Sequence, residues 1–303
     1  MVESVPVVTP GHGGAGPAAS RSGWHPKAPA TPPAFEDGRL LEYRHPHELP
    51  ALAVCLVVLA IILVAAAWQE KWEILLGIVA VWLSMVATAL QAPTFNTLRG
   101  AEVTATQFPA VHAVAEELRQ RFQMPTTRVF IVRSYITRAF AFGFRAPYVI
   151  VLHSSLHDSL NADELRYVLG QQMGHIKFGH TRMDILLGGD DSSLPAILAW
   201  ASKLRDVIFG WYHRAQVLTA DRAGILACRS VEIAFTTQVK FAVGNAQVRE
   251  VQVADILEQA AAVSQGVSLV QATLINLFSV TPPLIYRLEE MAAWAGRPQW
   301  GES

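Results

Sequence analysis

The sequence predicts a mainly helical α+β protein, in which a transmembrane hairpin of two helices precedes a globular domain with a small β-sheet. Three observations predict this class: two adjacent charge-free apolar runs, two short β-branched runs further along the chain, and several stretches with helical spacing of apolar residues. At 303 residues the chain has room for one domain of ordinary size beside the hairpin. We predict a leader over 1–38, the hairpin over 39–93 and the domain over 94–303.

The amino-acid composition and net charge exclude some classes of function. Hydrophobic residues make up 51% of the chain and charged residues 16%, a more apolar balance than that of a typical soluble protein. The formal net charge is -1 and no dense run of Lys and Arg occurs, so the sequence offers no electrostatic basis for nucleic-acid binding. The two cysteines, Cys55 and Cys228, are expected to be ordinary buried thiols.

The N-terminal part of the chain combines a polar leader with two apolar segments. Residues 1–38 are rich in Pro, Gly, Ala and Ser, and they carry too little apolar surface to fold alone. We therefore expect the leader to become ordered only on a partner. Residues 49–68 and 74–92 are each about long enough to cross a ~30 Å hydrocarbon core as a helix. Because only QEKWE separates them, they should form a tight hairpin.

Basic residues around the hairpin predict its orientation. Arg39 and Arg44 precede the first span, Lys71 lies in the turn and Arg99 follows the second span. This distribution favours a cytoplasmic position for both termini and for the main domain, at the inner membrane of a bacterium. The expected partners are the lipid bilayer and other integral membrane proteins, contacted through the hairpin and the leader. A buried helical pair in a soluble core is the alternative, which two adjacent charge-free runs disfavour.

The domain is predicted to contain two strands and several helices. Residues 128–132 and 148–152 are β-branched runs typical of strands. A helix should begin near Asn161, because Asn161 and Glu164 have the spacing of a capping box. The other helices are expected over residues 111–122, 194–215, 219–228, 251–278 and 283–295.

The helix that begins near Asn161 contains the candidate site. Zinc peptidases of the His-Glu-x-x-His type place two His side chains four residues apart on one helical face, with a Glu that activates water between them. This chain has Gln171 and Gln172 in place of the first His and the Glu, and His175 in place of the second His.

Four separated segments carry a resemblance to a known family. They are Ala139–Gly143 followed by Tyr148–Leu152, then Asp163–Leu169, then Ala220–Gly224, and last Ser279–Pro283 followed by Arg287 and Leu288. In this order and spacing, the region 102–295 resembles the HtpX and CAAX-prenyl-endopeptidase family of membrane zinc peptidases. The resemblance implies a zincin-like fold, with an edge strand at 148–152 that would hold substrate.

The same resemblance implies three zinc ligands, at positions 171, 175 and 217. Gln171 and Val217 occupy two of them, and only His175 matches the family. An amide is a poor zinc ligand, valine has no donor atom, and Gln172 cannot accept a proton from water. The sequence thus predicts a pseudopeptidase without enzymatic activity, without zinc and without another cofactor. Asp221 is expected to support the imidazole of His175 through a hydrogen bond.

Three functions follow as hypotheses. The first is a structural or accessory subunit of a larger membrane complex, with energy-transducing complexes as candidate hosts. The second is a regulatory protein that binds extended peptides by strand addition; its expected peptide-binding strand consists of Tyr148, Val149, Ile150, Val151 and Leu152.

The third hypothesis is an active zinc endopeptidase with unusual ligands. His153, His157 and His180 are the candidates for a rebuilt site. His175 and His180 are five residues apart, which turns them away from a shared helical face.

Overall fold

The computed structural model describes residues 35–189, 199–243 and 281–296, together with positions 255 and 279. Its helices, after a short 3-10 turn at Asp37–Arg39, are α1 (Leu40–Tyr43), α2 (Glu48–Trp68), α3 (Trp72–Arg99), α4 (Pro109–Arg121), α5 (Ser154–Ser159), α6 (Ala162–Lys177), α7 (His180–Leu186), α8 (Ala199–Cys228), α9 (Val231–Val243) and α10 (Leu284–Ala295). Its strands are β1 (Ala101–Glu102), β2 (Thr127–Val132), β3 (Ala139–Phe142) and β4 (Tyr148–His153). The mainly helical α+β class is confirmed.

Helices α2 and α3 form the predicted hairpin, and both are long and apolar enough to cross a membrane. Most of their large apolar side chains face outward, such as Ile61 at 62% and Leu76 at 71% exposure. Helix α3 continues to Arg99, beyond the predicted end at residue 92 and through Pro93. The prediction stopped where the apolar run stopped, which marks the edge of a hydrocarbon layer and not the end of a helix.

The four strands form one sheet in the order β1-β2-β4-β3. Strands β2 and β4 pair in parallel, while β1 and β3 flank them as antiparallel edge strands. The prediction that residues 148–152 form an edge strand is therefore wrong. Their five consecutive buried side chains fit a strand that is covered on both faces and paired on both sides.

Strand β3 was not predicted, because the sequence analysis assigned strands only to the β-branched runs at 128–132 and 148–152. In the structure Phe140 lies opposite Val151, and the antiparallel pairing extends over all four residues of β3. Gly143 ends the strand with φ of 128°, a conformation that favours glycine. A Cβ there would lie 2.9 Å from the Tyr148 ring, so a larger residue would not fit.

Helices α6 and α8 cross closely in the centre of the domain. A Cβ on Gly170 would lie 2.2 Å from the Cβ of Ala227, and one on Gly174 would lie 2.5 Å from the Cβ of Ala223. Small residues thus allow the two backbones to approach one another. Helix α8 joins the two helices predicted over 194–215 and 219–228, since no Gly or Pro interrupts the chain between them.

The start of α6 is capped as predicted. Asn161 Oδ1 accepts hydrogen bonds from the backbone N–H groups of Asp163 and Glu164, and the Glu164 carboxylate accepts one from Asn161 N–H at 2.9 Å. Lys240 holds the same carboxylate at 2.7 Å from α9, a helix that the sequence analysis missed. The predicted helix over 251–278 and most of the leader lie outside the described residues.

Candidate functional site

A cavity of about 270 Å³ opens between strand β3 and helices α3, α6, α7 and α8. We call it the cleft. All five elements contribute to its lining, together with Gly189, which follows α7. The other lining residues are Ala89 and Ala92 on α3, residues 138–142 along β3, Gln172 and His175 on α6, Thr181, Asp184 and Ile185 on α7, and Val217 on α8. Three of the five positions predicted for the site, Gln172, His175 and Val217, line this cleft.

The other two predicted positions, Gln171 and Asp221, lie behind the cleft in a buried polar network. Arg287 pairs with both Asp221 oxygens, at 2.8 Å from Nε and 2.6 Å from Nη2. Gln171 Nε2 donates to Asp221 Oδ1 and, at 3.0 Å, to the hydroxyl of Tyr167. Tyr167 in turn donates to Asp221 at 3.2 Å and accepts from Gln238 Nε2 at 2.7 Å.

Within this buried network, the phenol of Tyr167 is held in its protonated state. Burial, together with the Asp221 carboxylate, raises the pKa of Tyr167 well above its usual value. The phenol therefore stays protonated and able to donate. Each polar group of the network has a partner within it, which is what a buried polar group requires for stability.

His175 has a different partner from the one expected. The oxygens of Asp221 are occupied by Arg287, Tyr167 and Gln171, and the predicted bond between His175 and Asp221 is absent among the hydrogen bonds of the described residues. Instead, His175 Nδ1 lies 3.0 Å from His180 Nδ1.

The expectation that His175 and His180 diverge is also wrong. Helix α6 ends at Lys177, and Gly179 adopts a left-handed conformation with φ of 80°. His180 then begins helix α7, which runs in a new direction. Because the two residues belong to separate helices, the spacing of five does not turn their rings apart, and the ring centroids lie 5.1 Å from each other.

The surroundings of the cleft shift the pKa values of two groups that line it. Burial lowers the pKa of His175 well below its usual value, and the neighbouring His180 adds to this effect. Burial likewise raises the pKa of Asp184. The Thr181 hydroxyl is buried and has no hydrogen-bond partner in the part of the chain that the structure describes. The cleft thus presents a neutral imidazole and the amide of Gln172, beside the side chains of Arg138 and Asp184.

His153 and His157 do not line the cleft. His153 Nδ1 lies 2.9 Å from the carbonyl oxygen of Ile136, and His157 Nδ1 lies 2.9 Å from the carboxylate of Asp158. Each imidazole therefore has a local partner away from His175. The two residues, proposed as parts of a rebuilt site, are not brought together with it.

The residues at the family ligand positions do not fit a zinc ion. Gln171 directs its amide nitrogen to Asp221 and Tyr167, and Val217 has no donor atom. His175 alone provides a preferred type of ligand. Within residues 35–189, 199–243 and 281–296, no group of three His, Cys, Asp or Glu side chains is placed to hold a metal ion.

Helix α6 with its polar cleft residues, helix α8 that crosses it closely and the edge strand β3 all belong to a metallopeptidase-like domain. The chain belongs to peptidase family M48, whose family model matches residues 105–295. The predicted relationship to membrane zinc peptidases of the HtpX type is thereby confirmed.

Two curated relatives illustrate the similarity. A protein named "Protease HtpX homolog" from Thermococcus kodakarensis is 36% identical over 109 residues, which are 35% of this chain and 36% of that protein. A chloroplastic protein of Arabidopsis thaliana, named "Plastoglobule-localized metallopeptidase 48", is 26% identical over 166 residues, 52% of this chain and 47% of that protein. The chain thus matches between about a third and a half of the length of these relatives. No solved structure matches it.

The comparisons correct the prediction that the chain is not an enzyme. The family is a peptidase family, and relatives from Thermococcus kodakarensis and Thermodesulfovibrio yellowstonii are both named as proteases. The prediction relied on Gln171, Gln172 and Val217. Substitutions at these positions argue against one arrangement of ligands and do not extend to the activity of the whole domain.

Sequence reasoning also missed part of the cleft. It placed the peptide-binding strand at 148–152, whereas β3 at 139–142 lies along the cleft. It did not include Thr181 or Asp184, since no periodic signal shows that α7 turns back toward β3. The sequence feature that could have predicted this turn is Gly179, which follows the end of α6 and adopts a left-handed conformation.

Proposed function

We propose that this chain is a membrane-anchored member of family M48 that binds an extended polypeptide segment along the outer edge of β3. The supporting observation is the position of that edge. Strand β3 pairs with β4 on one side, and no strand among the described residues pairs with its other side. An unpaired strand edge presents backbone donors and acceptors that an added strand can satisfy.

The pairing pattern identifies the groups that would bind. His153 N–H donates to the Arg138 carbonyl oxygen at 3.1 Å, so residue 138 belongs to a hydrogen-bonded pair of the antiparallel ladder. Such pairs alternate along the strands. The backbone groups of Phe140 therefore face β4, while those of Ala139 and Ala141 are directed to the free edge.

The side chains of β3 leave room in the cleft. Phe140 and Phe142 pack on one face of the sheet, against the buried cluster of Phe130, Val149 and Val151. Ala139 and Ala141 alternate with them and face the main core. Because these two residues are small, the cleft can accept apolar side chains of a bound segment.

The second helix of the hairpin contributes a wall of the cleft through Ala89 and Ala92. A polypeptide bound to β3 would therefore lie next to the segment that we place in the membrane. This position favours the juxtamembrane parts of other membrane proteins as the bound class. We place the chain at a cytoplasmic membrane, with the main domain on the cytoplasmic side, on the basis of the basic residues that flank the hairpin.

We further propose that binding does not use a zinc ion held by positions 171, 175 and 217, because their donor set does not fit this metal. Metal analysis of protein purified without added metal tests this point. Zinc well below one ion per chain is expected, and stoichiometric zinc that is lost on substitution His175→Ala would contradict it.

A second candidate function is that of a subunit in a larger membrane complex. It is favoured by an exposed apolar stripe on α8, formed by Trp200, Leu204, Val207 and Trp211. The same helix packs against the first helix of the hairpin through Phe209 and Tyr212. Extraction in mild detergent followed by sizing tests it. A stable assembly with other membrane proteins is expected, and a lone chain would contradict this candidate.

The substitution Ala141→Pro tests peptide binding most simply. Proline removes the backbone N–H of residue 141, which faces the free edge and not β4. In fluorescence anisotropy with a labelled juxtamembrane peptide, the full chain in lipid nanodiscs should bind, and the variant should bind at least about tenfold more weakly. Mass spectrometry of the same samples detects cleavage products.

The matched control for this experiment is Glu102→Pro on β1, the edge strand away from the cleft. This variant should keep the affinity of the unchanged chain. Equal binding by all three proteins, with the fold of each verified by circular dichroism, would contradict the proposal.

A further inference from the structure

A chain of three hydrogen-bonded side chains connects the start of the first membrane helix to the cleft. Glu48, the first residue of α2, is 0% exposed, and its Oε1 lies 3.1 Å from His180 Nε2. His180 is also fully buried, and its Nδ1 lies 3.0 Å from His175 Nδ1. His175 lines the cleft. Each contact in this series is a hydrogen bond.

The contacts of Glu48 fix the direction of the first bond. Its Oε1 accepts from Arg44 Nη1 as well as facing His180, and its Oε2 accepts from the hydroxyl of Thr219. A carboxyl group whose oxygens receive these donors acts as an acceptor throughout. His180 Nε2 must therefore carry the hydrogen that it shares with Glu48.

The direction of the second bond follows from the first. An imidazole in its neutral form carries hydrogen on one nitrogen only, so the neutral form of His180 with a hydrogen on Nε2 has a lone pair on Nδ1. That lone pair accepts from His175, which must then carry its own hydrogen on Nδ1. The Nε2 atom, at the far side of the His175 ring, is left with a lone pair.

We propose that Glu48 and His180 are positioning residues, which hold His175 in the tautomer that presents an unprotonated Nε2 to the cleft. A lone pair at this place accepts a hydrogen bond from an N–H or hydroxyl group of a bound molecule. Where that molecule is a polypeptide, this role rests on the proposed function. The tautomer itself does not depend on it.

The surroundings of Glu48 support a built arrangement. Three donors hold its carboxylate, from the segment before α2, from α7 and from α8. Thr219 is itself fixed, since its hydroxyl accepts from the backbone N–H of His45 at 2.9 Å. A carboxylate with no exposed surface is costly unless it is satisfied in this way. The buried position at the start of an apolar helix therefore aligns Glu48 with His180.

Nitrogen NMR of the full chain in lipid nanodiscs tests the tautomer. With ¹⁵N-labelled histidine, long-range proton–nitrogen spectra distinguish hydrogen on Nδ1 from hydrogen on Nε2, and the variant His175→Gln assigns the signals. We expect His175 to show a protonated Nδ1 and an unprotonated Nε2. A protonated Nε2 on His175 in the unchanged protein would overturn the proposal without recourse to any further variant.

Variants then test the role of the two positioning residues. His180→Phe and Glu48→Leu remove the directing groups, and His175 should move to the tautomer with hydrogen on Nε2. Glu48→Gln retains an acceptor oxygen and should preserve the original pattern. Glu290→Gln is the matched control, because Glu290 forms a similar contact with the His45 ring, at 3.3 Å, and that ring has no hydrogen bond to Glu48, His180 or His175 among the described residues. An unaltered His175 signal in His180→Phe would contradict the proposal.

Peptide affinity provides a separate readout. His180→Phe should weaken binding of the juxtamembrane peptide about tenfold, the effect of one lost hydrogen bond, while Glu48→Gln should keep the affinity of the unchanged chain. If the unchanged protein shows the expected tautomer but binds no peptide, only the proposed function fails. If peptide binding depends on residue 141 but His175 carries hydrogen on Nε2, only the present inference fails.

Discussion

The two sides of helix α6 differ in how their polar groups are satisfied. Behind the helix, Tyr167, Asp221 and Arg287 bond to one another and to neighbouring amides, and each has a partner. In front of it, the hydroxyl of Thr181 has none among the described residues, and the free edge of β3 has none either. The buried side is therefore complete by itself and stabilises the fold, whereas the free edge of β3 on the cleft side is suited to a bound polypeptide.

The largest expected effect comes from breaking the buried side at Asp221. The substitution Asp221→Ala leaves the Arg287 guanidinium without its carboxylate in an enclosed position. We expect it to lower the free energy of unfolding by about 3–5 kcal/mol, measured by denaturant unfolding in detergent micelles. The exposed pair of Glu102 and Arg128 provides a control, since Glu102→Gln should cost at most about 1 kcal/mol. Equal effects would contradict the distinction.

The next effect concerns the close crossing of α6 and α8. In Gly174→Ala the new methyl group would meet Ala223, at 2.5 Å between the Cβ atoms. The overpacking should lower the free energy of unfolding by about 1–3 kcal/mol. Gly38→Ala is the matched control, because nothing lies within 4 Å of its added Cβ. A stable Gly174→Ala variant would show that the helices are further apart than described.

A pair of hydroxyl deletions compares the two sides directly. Tyr167→Phe removes a hydroxyl with three partners in the buried network, and should cost about 1–3 kcal/mol of unfolding free energy. Thr181→Val removes the hydroxyl that lacks a partner, and should leave stability unchanged or raise it by up to about 1 kcal/mol. Thermal unfolding of both variants decides the matter. A greater loss in Thr181→Val would reverse the comparison.

The smallest expected effect is a slowed alkylation of Cys228, the last residue of α8. Burial raises the pKa of the Cys228 thiol to about 11, so its reactive thiolate is scarce near pH 8. Alkylation of Cys228 in the folded chain should be slow at pH 8 and should accelerate as the pH rises toward that pKa. Mass spectrometry of iodoacetamide-treated protein follows the rate. Alkylation at pH 8 as fast as in the unfolded chain would show that this part of the core is open.

Most of the architecture could be predicted from local sequence signals. The hairpin follows from two apolar runs, and the start of α6 follows from Asn161 and Glu164, whose side chains form the expected cap. These signals reflect interactions within a few residues of one another, so they survive in a single sequence. For the same reason the domain class and its relationship to membrane peptidases could be predicted from the sequence.

Errors occurred where contacts between distant segments decide the structure. The position of residues 148–152 inside the sheet depends on β3, a strand of four residues that no periodic pattern identified. The contact between His175 and His180 depends on one left-handed glycine between two helices. Asp221 turned away from His175 because Arg287, more than sixty residues further along, competes for it. Gln171, Gln172 and Val217 do replace the residues expected at these positions. The loss of activity inferred from them was nevertheless wrong, because the chain belongs to a peptidase family.

Backbone hydrogen exchange of β3 tests the central claim about the free edge most directly. The full chain in nanodiscs is compared with and without a saturating juxtamembrane peptide, and exchange is followed at individual amides by NMR. The amides of Ala139 and Ala141 should exchange more slowly when the peptide is bound, while that of Phe140, already directed to β4, should change little. Bound peptide with unchanged exchange at Ala139 and Ala141 would show that the polypeptide does not pair with this edge.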